Sequence, residues 1–267
     1  MNTSAKIVKI SLTAIEKRPE VAGREDNAPN LESIINASVK SLKSGNVIAI
    51  PTDTIYGVAA LAQSTEAVTK LYEIKRRHEE KPVAICVGNL EDVYKWGKVT
   101  VSKEILQDLL PGPVTLVFER TDQLNPGLNP TTRLVGIRIP DHDFVRQLSL
   151  ACEEPLALTS ANVSTVGQSS LKIEEFKEIW PKLDLILDGG VLGLTEQCRK
   201  GSTVVNLSVH GKFSIIREGR GKKLNEKSIL LSIGHFKLTE LFLFLSSAYD
   251  QTVNILSRKY GLEDCTS

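Results

Sequence analysis

No stretch of this sequence is apolar for long enough to cross a membrane; even the run Leu241-Phe242-Leu243-Phe244-Leu245 is far shorter than the ~20 residues a spanning helix needs. Charge of one sign is also missing. A formal net charge of +1 argues against a general nucleic-acid coat and leaves only a local basic groove. Aromatic residues make up 5% of the chain, which leaves few platforms for stacking bases. The four cysteines, Cys86, Cys152, Cys198 and Cys265, lack metal-ligand spacing, and no signal-peptide pattern precedes them. They read as reduced thiols of an intracellular protein, so the motifs at Asn36-Ala37-Ser38 and Asn162-Val163-Ser164 are not expected to carry glycans. Neither common phosphate loop is present. Gly219-Arg220-Gly221-Lys222-Lys223 does not make a Gly-x-x-x-x-Gly-Lys-Ser/Thr loop, and Gly189-Gly190 with Gly193 falls short of Gly-x-Gly-x-x-Gly. Any nucleotide must therefore be held by discrete side chains and strand-end amides. His78, His142, His210 and His235 lie in unrelated contexts, so no serine-histidine-acid or cysteine-histidine arrangement is defensible.

What the chain does contain is concentrated between Pro51 and Val87. Val47, Ile48, Ala49 and Ile50 form a β-branched run that stops at Pro51-Thr52-Asp53-Thr54-Ile55-Tyr56-Gly57, the pattern of a buried strand ending in a turn. The hydroxyls of Thr52 and Thr54 either hold a small polar ligand there or hydrogen-bond the local backbone, as Thr and Asp do in many turns. Ser64 or Thr65 caps a helix carrying Glu66, Val68, Leu71, Tyr72 and Ile74. That helix ends in Lys75, Arg76, Arg77 and His78, and Lys81-Pro82 opens the apolar run Val83 to Val87. Basic residues at a helix C-terminus also suit the helix dipole. Lys75 and Arg77, two apart where helix gives way to loop, can converge with Lys81 on one polyanion such as a triphosphate.

The 267 residues, 41% of them hydrophobic, suit one globular domain or at most two. Residues 1–29 mix Lys6, Lys9, Lys17 and Arg18 with Glu16, Glu20, Glu25 and Asp26 and read as a flexible, polar lead-in. The segment is neither rich in Arg nor poor in acids, as a mitochondrial presequence would be. A cytoplasmic location is expected, with a mitochondrial share left open by the basic first dozen residues. Helical spacing at Ile34, Ile35, Val39 and Leu42, at Leu90 to Trp96, after Ser102 and at Phe144 to Leu150 alternates with apolar strands at Val114 to Phe118, Leu134 to Ile139 and Leu156 to Thr159. Pro111-Gly112-Pro113 must end the helix before it. Further strands fit at Leu183 to Leu187, Thr203 to Leu207 and Phe213 to Ile216. The alternation indicates an α/β domain around one twisted sheet, without internal repeats.

The remaining motifs fall at strand ends, where α/β proteins bind ligands. Arg138 alternates with Ile137 and Ile139 and is either a solvated strand residue or a ligand for a carboxylate. Ser160-Ala161-Asn162 is either an ordinary turn or a contact site. Together with Pro111-Gly112-Pro113-Val114-Thr115-Leu116, Gly136 to His142 and Gly201-Ser202-Thr203-Val204-Val205, the blocks from residue 30 to residue 220 or so stand in the order found in the YrdC-type threonylcarbamoyl-AMP synthases, and the chain resembles that family.

The resemblance implies an α/β fold in which a single YrdC-like domain, residues 30–220, builds a twisted mixed sheet flanked by helices with a concave basic groove. It implies a nucleotidyltransferase that joins L-threonine, bicarbonate and ATP into threonylcarbamoyl-adenylate and pyrophosphate, with Mg²⁺ carried by ATP and no organic cofactor. By the same resemblance Lys75, Arg77, Ser160 and Asn162 are catalytic. Lys75, Arg77, Lys81, Thr115, Asn162, Ser170 and Arg217 contact ATP; Thr54, Arg138, Ser160 and Ser202 contact threonine. The product would pass to a tRNA threonylcarbamoyl-transferase complex that modifies the adenosine beside the anticodon, and a weak affinity for tRNA or double-stranded RNA would accompany that role.

Two departures stand out. Arg76 occupies a position that is often small in the family, so either Arg76 or Arg77 faces the phosphates. Residues 221–248 have no counterpart in the domain's pattern and read as an added helix, a partner-binding segment or translated intron; residues 249–267 read as a C-terminal helix, at Val253 to Leu262, and a tail. Two other classes compete. An RNA-binding module would show salt-sensitive RNA affinity and no adenylate. A carbamoyl-adenylate-forming domain serving another acceptor, as in hydrogenase maturation, is disfavoured by the single-domain length.

Overall fold

Every apolar run expected between residues 47 and 217 becomes a strand of one mixed sheet in the computed structural model, which describes residues 5–10, 30–76, 81–162, 168–220 and 263–264. The strands are β1 (Lys6–Lys9), β2 (Ile48–Ile50), β3 (Gly57–Leu61), β4 (Ala84–Cys86), β5 (Gly97–Lys98), β6 (Val114–Arg120), β7 (Leu134–Arg138), β8 (Leu156–Ser160), β9 (Leu185–Asp188), β10 (Thr203–Asn206), β11 (Lys212–Arg217) and β12 (Glu263–Asp264). Their order across the sheet is β1-β9-β2-β3-β8-β4-β7-β6-β10-β11-β12, with β5 paired to β6. The sheet is mixed: β2 to β3, β3 to β8 and β8 to β4 are antiparallel steps, while β4 to β7 and β6 to β10 are parallel.

Helices form where the sequence supplies both a cap and an apolar stripe. Asn30 caps α1 (Leu31–Lys43) by accepting the Ser33 amide, and Ser64 caps α2 (Thr65–Lys75) by accepting that of Ala67. Asn89 does the same for α3 (Leu90–Trp96); α4 (Lys103–Leu109) and α5 (Asp143–Cys152) complete the set. The α1 stripe of Ile34, Ile35 and Leu42 is buried, each side chain worth roughly 1.5–3 kcal/mol against exposure.

Strand alternation sorts the core into two clusters. Val58 and Ala60 of β3 face one way, with Ile85, Leu116, Ile137 and Val205, beneath α2, α3, α4 and a 3₁₀ segment at Ile173–Lys182. Ala59 and Leu61 face the other way, beneath α1 and α5. Those two helices pack on each other and on the end of the face that holds β2, β3 and β8. Farther along, over β4, β7, β6 and β10, no helix among the described residues lies on the same face. There Ala84, Gly136 and Thr115 make a floor of small side chains; a Cβ on Gly136 would stand 2.9 Å from the Thr115 methyl group.

Several elements were not foreseen, among them β3 and a short 3₁₀ turn at Glu196–Arg199. The lead-in expected over residues 1–29 begins with a strand: β1 pairs parallel to β9, the Ile10 amide donates to Asp188 O at 2.8 Å, and Ile10 is 6% exposed. Ile7, Val8 and Ile10 supply β-branched side chains, and β9 supplies an open edge, a partner that the local composition does not reveal. β5 and β12 are likewise products of pairing distant in sequence, whereas the 3₁₀ segment at Ile173–Lys182, kinked at Phe176 and holding Pro181, was missed for want of a regular helical stripe. The rest of the lead-in, the segment 221–248 and the helix expected at Val253 to Leu262 lie outside the described residues.

Candidate functional site

The uncovered part of the sheet face forms a cavity of about 540 Å³. Arg138 at the end of β7, Ser160 at the end of β8, Ser202 at the head of β10 and Arg217 at the end of β11 line its polar part. Val117, Leu134 and Pro82 line a more apolar part. Lys200 and Glu218 also reach the wall, so the cavity carries three cations, with Arg138 and Arg217, against one acid.

The turn between β2 and β3 forms one end. Thr52 Oγ accepts the amides of Thr54, at 3.1 Å, and Ile55, at 3.2 Å, and donates to Ile55 O at 2.8 Å. Thr52 therefore does the local backbone bonding that its residue type suggests. Thr54 does something else. It is fully buried, and its hydroxyl meets Thr52 Oγ at 3.0 Å and accepts from Arg138 Nη2 at 3.1 Å. The same Nη2 pairs with the Asp53 carboxylate. Arg138 is 7% exposed, so the reading of it as a solvated strand residue is corrected: alternation turns it from the hydrophobic core, as expected, but into the cavity rather than into water. One oxygen of Asp53, Oδ2, and Arg138 Nε are buried without partners, so this pair is only half hydrogen-bonded.

At the other wall α2 ends on Arg76 in the left-handed conformation, φ 47° and ψ 43°. Lys75 is 1% exposed, and its ammonium donates to Ser160 O, with Ser160 Oγ at 3.4 Å and Asn162 Oδ1 at 3.5 Å. Arg76 is exposed and Arg77 lies outside the described residues. Lys81 is exposed at the entrance to β4.

Between these ends, Thr115 Oγ and Ser202 Oγ are 2.7 Å apart. Arg217 Nη2 donates to Ser202 O at 2.9 Å and to Ser202 Oγ at 3.2 Å. Ser170 is 2% exposed and lies behind the wall, its carbonyl accepting the Tyr56 amide at 2.9 Å; its neighbour Ser169 reaches the cavity. The geometry thus brings Lys75, Ser160 and Asn162 together, Thr54 with Arg138, and Thr115 with Ser202 and Arg217, while Ser170 is turned to the Tyr56 backbone.

Burial pushes the Cys86 thiol, on the cavity wall, up to about 12, which leaves no thiolate for nucleophilic attack at neutral pH. His142 is held below the ordinary histidine range by burial, and both of its ring nitrogens are buried without partners. Asp53, Lys200 and Arg220 were not singled out from sequence. Asp53 stood inside the recognised Thr52 to Thr54 stretch, where its acid was the available signal. Arg220 stood in a glycine-flanked run examined only as a phosphate loop.

The Sua5/YciO/YrdC family model, described as telomere recombination, matches residues 40–219. A human protein named threonylcarbamoyl-AMP synthase is 54% identical over 230 residues, 85% of this chain and 72% of its own; the mouse protein of that name is 47% identical over the same span. Among solved structures, P. abyssi Sua5 complexed with L-threonine superposes with a TM-score of 0.66 at 25% identity, covering 88% of this chain and 62% of the other. Escherichia coli YciO gives 0.67 at 22%, covering 82% and 97%, a likeness of fold. With more than half of the 230 aligned residues shared with the human synthase, a family model matching residues 40–219 and the family's motifs gathered around one cavity, this chain belongs to the Sua5/YciO/YrdC family.

Proposed function

We propose that the chain is a threonylcarbamoyl-AMP synthase, and that the observation carrying this reading is the meeting of the buried Lys75 ammonium with Ser160 and Asn162 beside a cavity that also holds Arg138. The names of its relatives and the L-threonine complex of P. abyssi Sua5 support it. The amine of L-threonine attacks bicarbonate, forming a C–N bond and releasing water. The resulting carbamate oxygen attacks the α-phosphorus of ATP, and pyrophosphate leaves with the electron pair of the broken P–O bond. No covalent enzyme intermediate is needed. The site must align two anions and stabilise the charge that gathers on pyrophosphate.

In this scheme Lys75, Arg77 and Lys81 hold the triphosphate, and Mg²⁺ arrives with ATP to neutralise its phosphates. Arg138, with Thr54, receives the threonine carboxylate, which suits a guanidinium whose Nε has no partner. Asn162, Thr115, Ser170 and Arg217 are assigned to ATP, and Ser160 and Ser202 to threonine. Because Ser202 is hydrogen-bonded to Thr115 and Arg217, the two substrates would meet there. Downstream, the adenylate would be consumed by a tRNA threonylcarbamoyl-transferase complex.

The test is pyrophosphate release with ATP, Mg²⁺ and bicarbonate, with and without L-threonine. Threonine-dependent release should fall by on the order of 10²-fold or more in Lys75→Ala and in Ser160→Ala. Folded protein that releases no pyrophosphate in response to threonine would overturn the reading; RNA affinity without turnover would then favour an RNA-binding module.

A further inference from the structure

Arg220 is not among the substrate contacts assigned above, yet it touches the two turns that build the amino-acid end of the cavity. Its Nη1 donates to Asp53 O and to Thr54 O, each at 3.2 Å. Its own amide donates to Gly201 O at 2.8 Å, one residue before Ser202. The chain that carries it doubles back over the head of β10. Gly219 lies so close that a Cβ there would stand 2.2 Å from the Ser202 carbonyl carbon and 2.3 Å from the Thr203 nitrogen. Arg217, at the start of this crossing, holds Ser202 by its carbonyl and its hydroxyl. We propose that Arg220 is a positioning residue that straps the Asp53–Thr54 turn to the Gly201–Ser202 turn and thereby sets the geometry with which Arg138 meets its ligand.

The physical reason lies in the two carbonyls. One guanidinium nitrogen, with two N–H donors, bonds successive carbonyl oxygens and so orients the peptide units on either side of Thr54. Those peptide units carry the Asp53 carboxylate and the Thr54 hydroxyl, and both engage Arg138 Nη2. A cationic donor bonds these oxygens more strongly than a neutral one. Without it the turn can rotate, and Arg138 loses the frame that aims it.

This inference rests on the assignment of Thr54, Arg138 and Ser202 to threonine. In Arg220→Ala the KM for L-threonine should rise about tenfold, the value expected for losing hydrogen bonds to a charged donor, while the KM for ATP stays within about twofold. Methylguanidinium should restore part of the loss, and Arg220→Lys, which keeps the charge without the planar fork, should fall between. Hydrogen exchange on the full chain should quicken at the Thr54 and Ile55 amides, which Thr52 holds in the intact turn. An unchanged KM for threonine with unchanged exchange would overturn the proposal. So would a parallel rise in both KM values with a lower melting temperature and no rescue, the signature of general destabilisation. If the wild type itself shows no threonine-dependent turnover, the functional reading fails instead. Exchange at Thr54 and Ile55 then decides the strap alone: quickened exchange upholds it and unaltered exchange overturns it.

Discussion

His142 stands at the N-terminus of α5 without capping it, its ring edge-on to Phe144 at 6.4 Å between centroids. The charges nearest to it are Asp53 of the β2–β3 turn and Asp143 and Arg146 of α5, but burial outweighs them and keeps the ring neutral. In the unfolded chain the same ring takes up a proton near its ordinary value of 6.5. The unfolded state therefore binds more protons as pH falls below that value, and the folded state does not follow. The stability contribution is complete above about 6.5 and is lost as pH falls, with a slope of at most about 1.4 kcal/mol per pH unit for one proton. Urea unfolding between about pH 7.5 and pH 5 should show a shallower loss in His142→Gln than in the wild type; equal slopes would mean that His142 is not the residue responsible.

At the scale of elements, a wall of the cavity is held by an ion pair that lies outside the cavity lining. Arg199 donates to both carboxylate oxygens of Glu175, at 2.8 and 3.0 Å, and to Ser169 O at 2.9 Å, while Glu175 accepts the Leu171 amide at 2.8 Å. This bidentate bridge ties the start of the 3₁₀ segment to the strand-entry loop before Ser202, and it holds the Glu175 carboxyl below its ordinary range. Both side chains are less than a quarter exposed. Glu175→Ala should lower the unfolding free energy by about 1–2 kcal/mol, measured in urea near neutral pH. A change no greater than a surface substitution gives would show that the loop is held by its backbone bonds alone.

For the molecule as a whole, one sheet face does two jobs. Where α1 and α5 cover it, Ala59, Leu61 and Leu156 are core; where they do not, Ala84, Gly136 and Thr115 are the floor of the cavity. β1 guards the far edge by pairing with β9, whose neighbour β2 leads into the Pro51 to Gly57 turn. Deleting residues 1–10 should leave β9 as an unpaired edge, lower the melting temperature by several degrees, on the scale of about 4 °C per kcal/mol, and increase self-association in light scattering. Truncated protein with unaltered melting and size would show that β1 only rests on the sheet.

From sequence came the strands β2, β4 and β6 to β11, the five helices among the described residues and the family, while β3 and β5 escaped notice. Those signals are local: caps such as Asn30 and Ser64, stripes such as Ile34, Ile35 and Leu42, and motifs such as Thr159-Ser160-Ala161-Asn162 are readable without knowing what they touch. The sequence also marked Lys75, at a helix end, and Arg138, at a strand end, as candidates, because residue type and position in an element are local as well. What these residues pair with was settled by tertiary contacts alone. That Arg138 is paired with Asp53 inside a cavity, that Ser202 joins Thr115 and Arg217, and that Arg220 returns to the Thr54 turn, 166 residues away, are outcomes of strand order. Strand order depends on which edges pair across long sequence separations, and a chain's local periodicity carries no record of that choice.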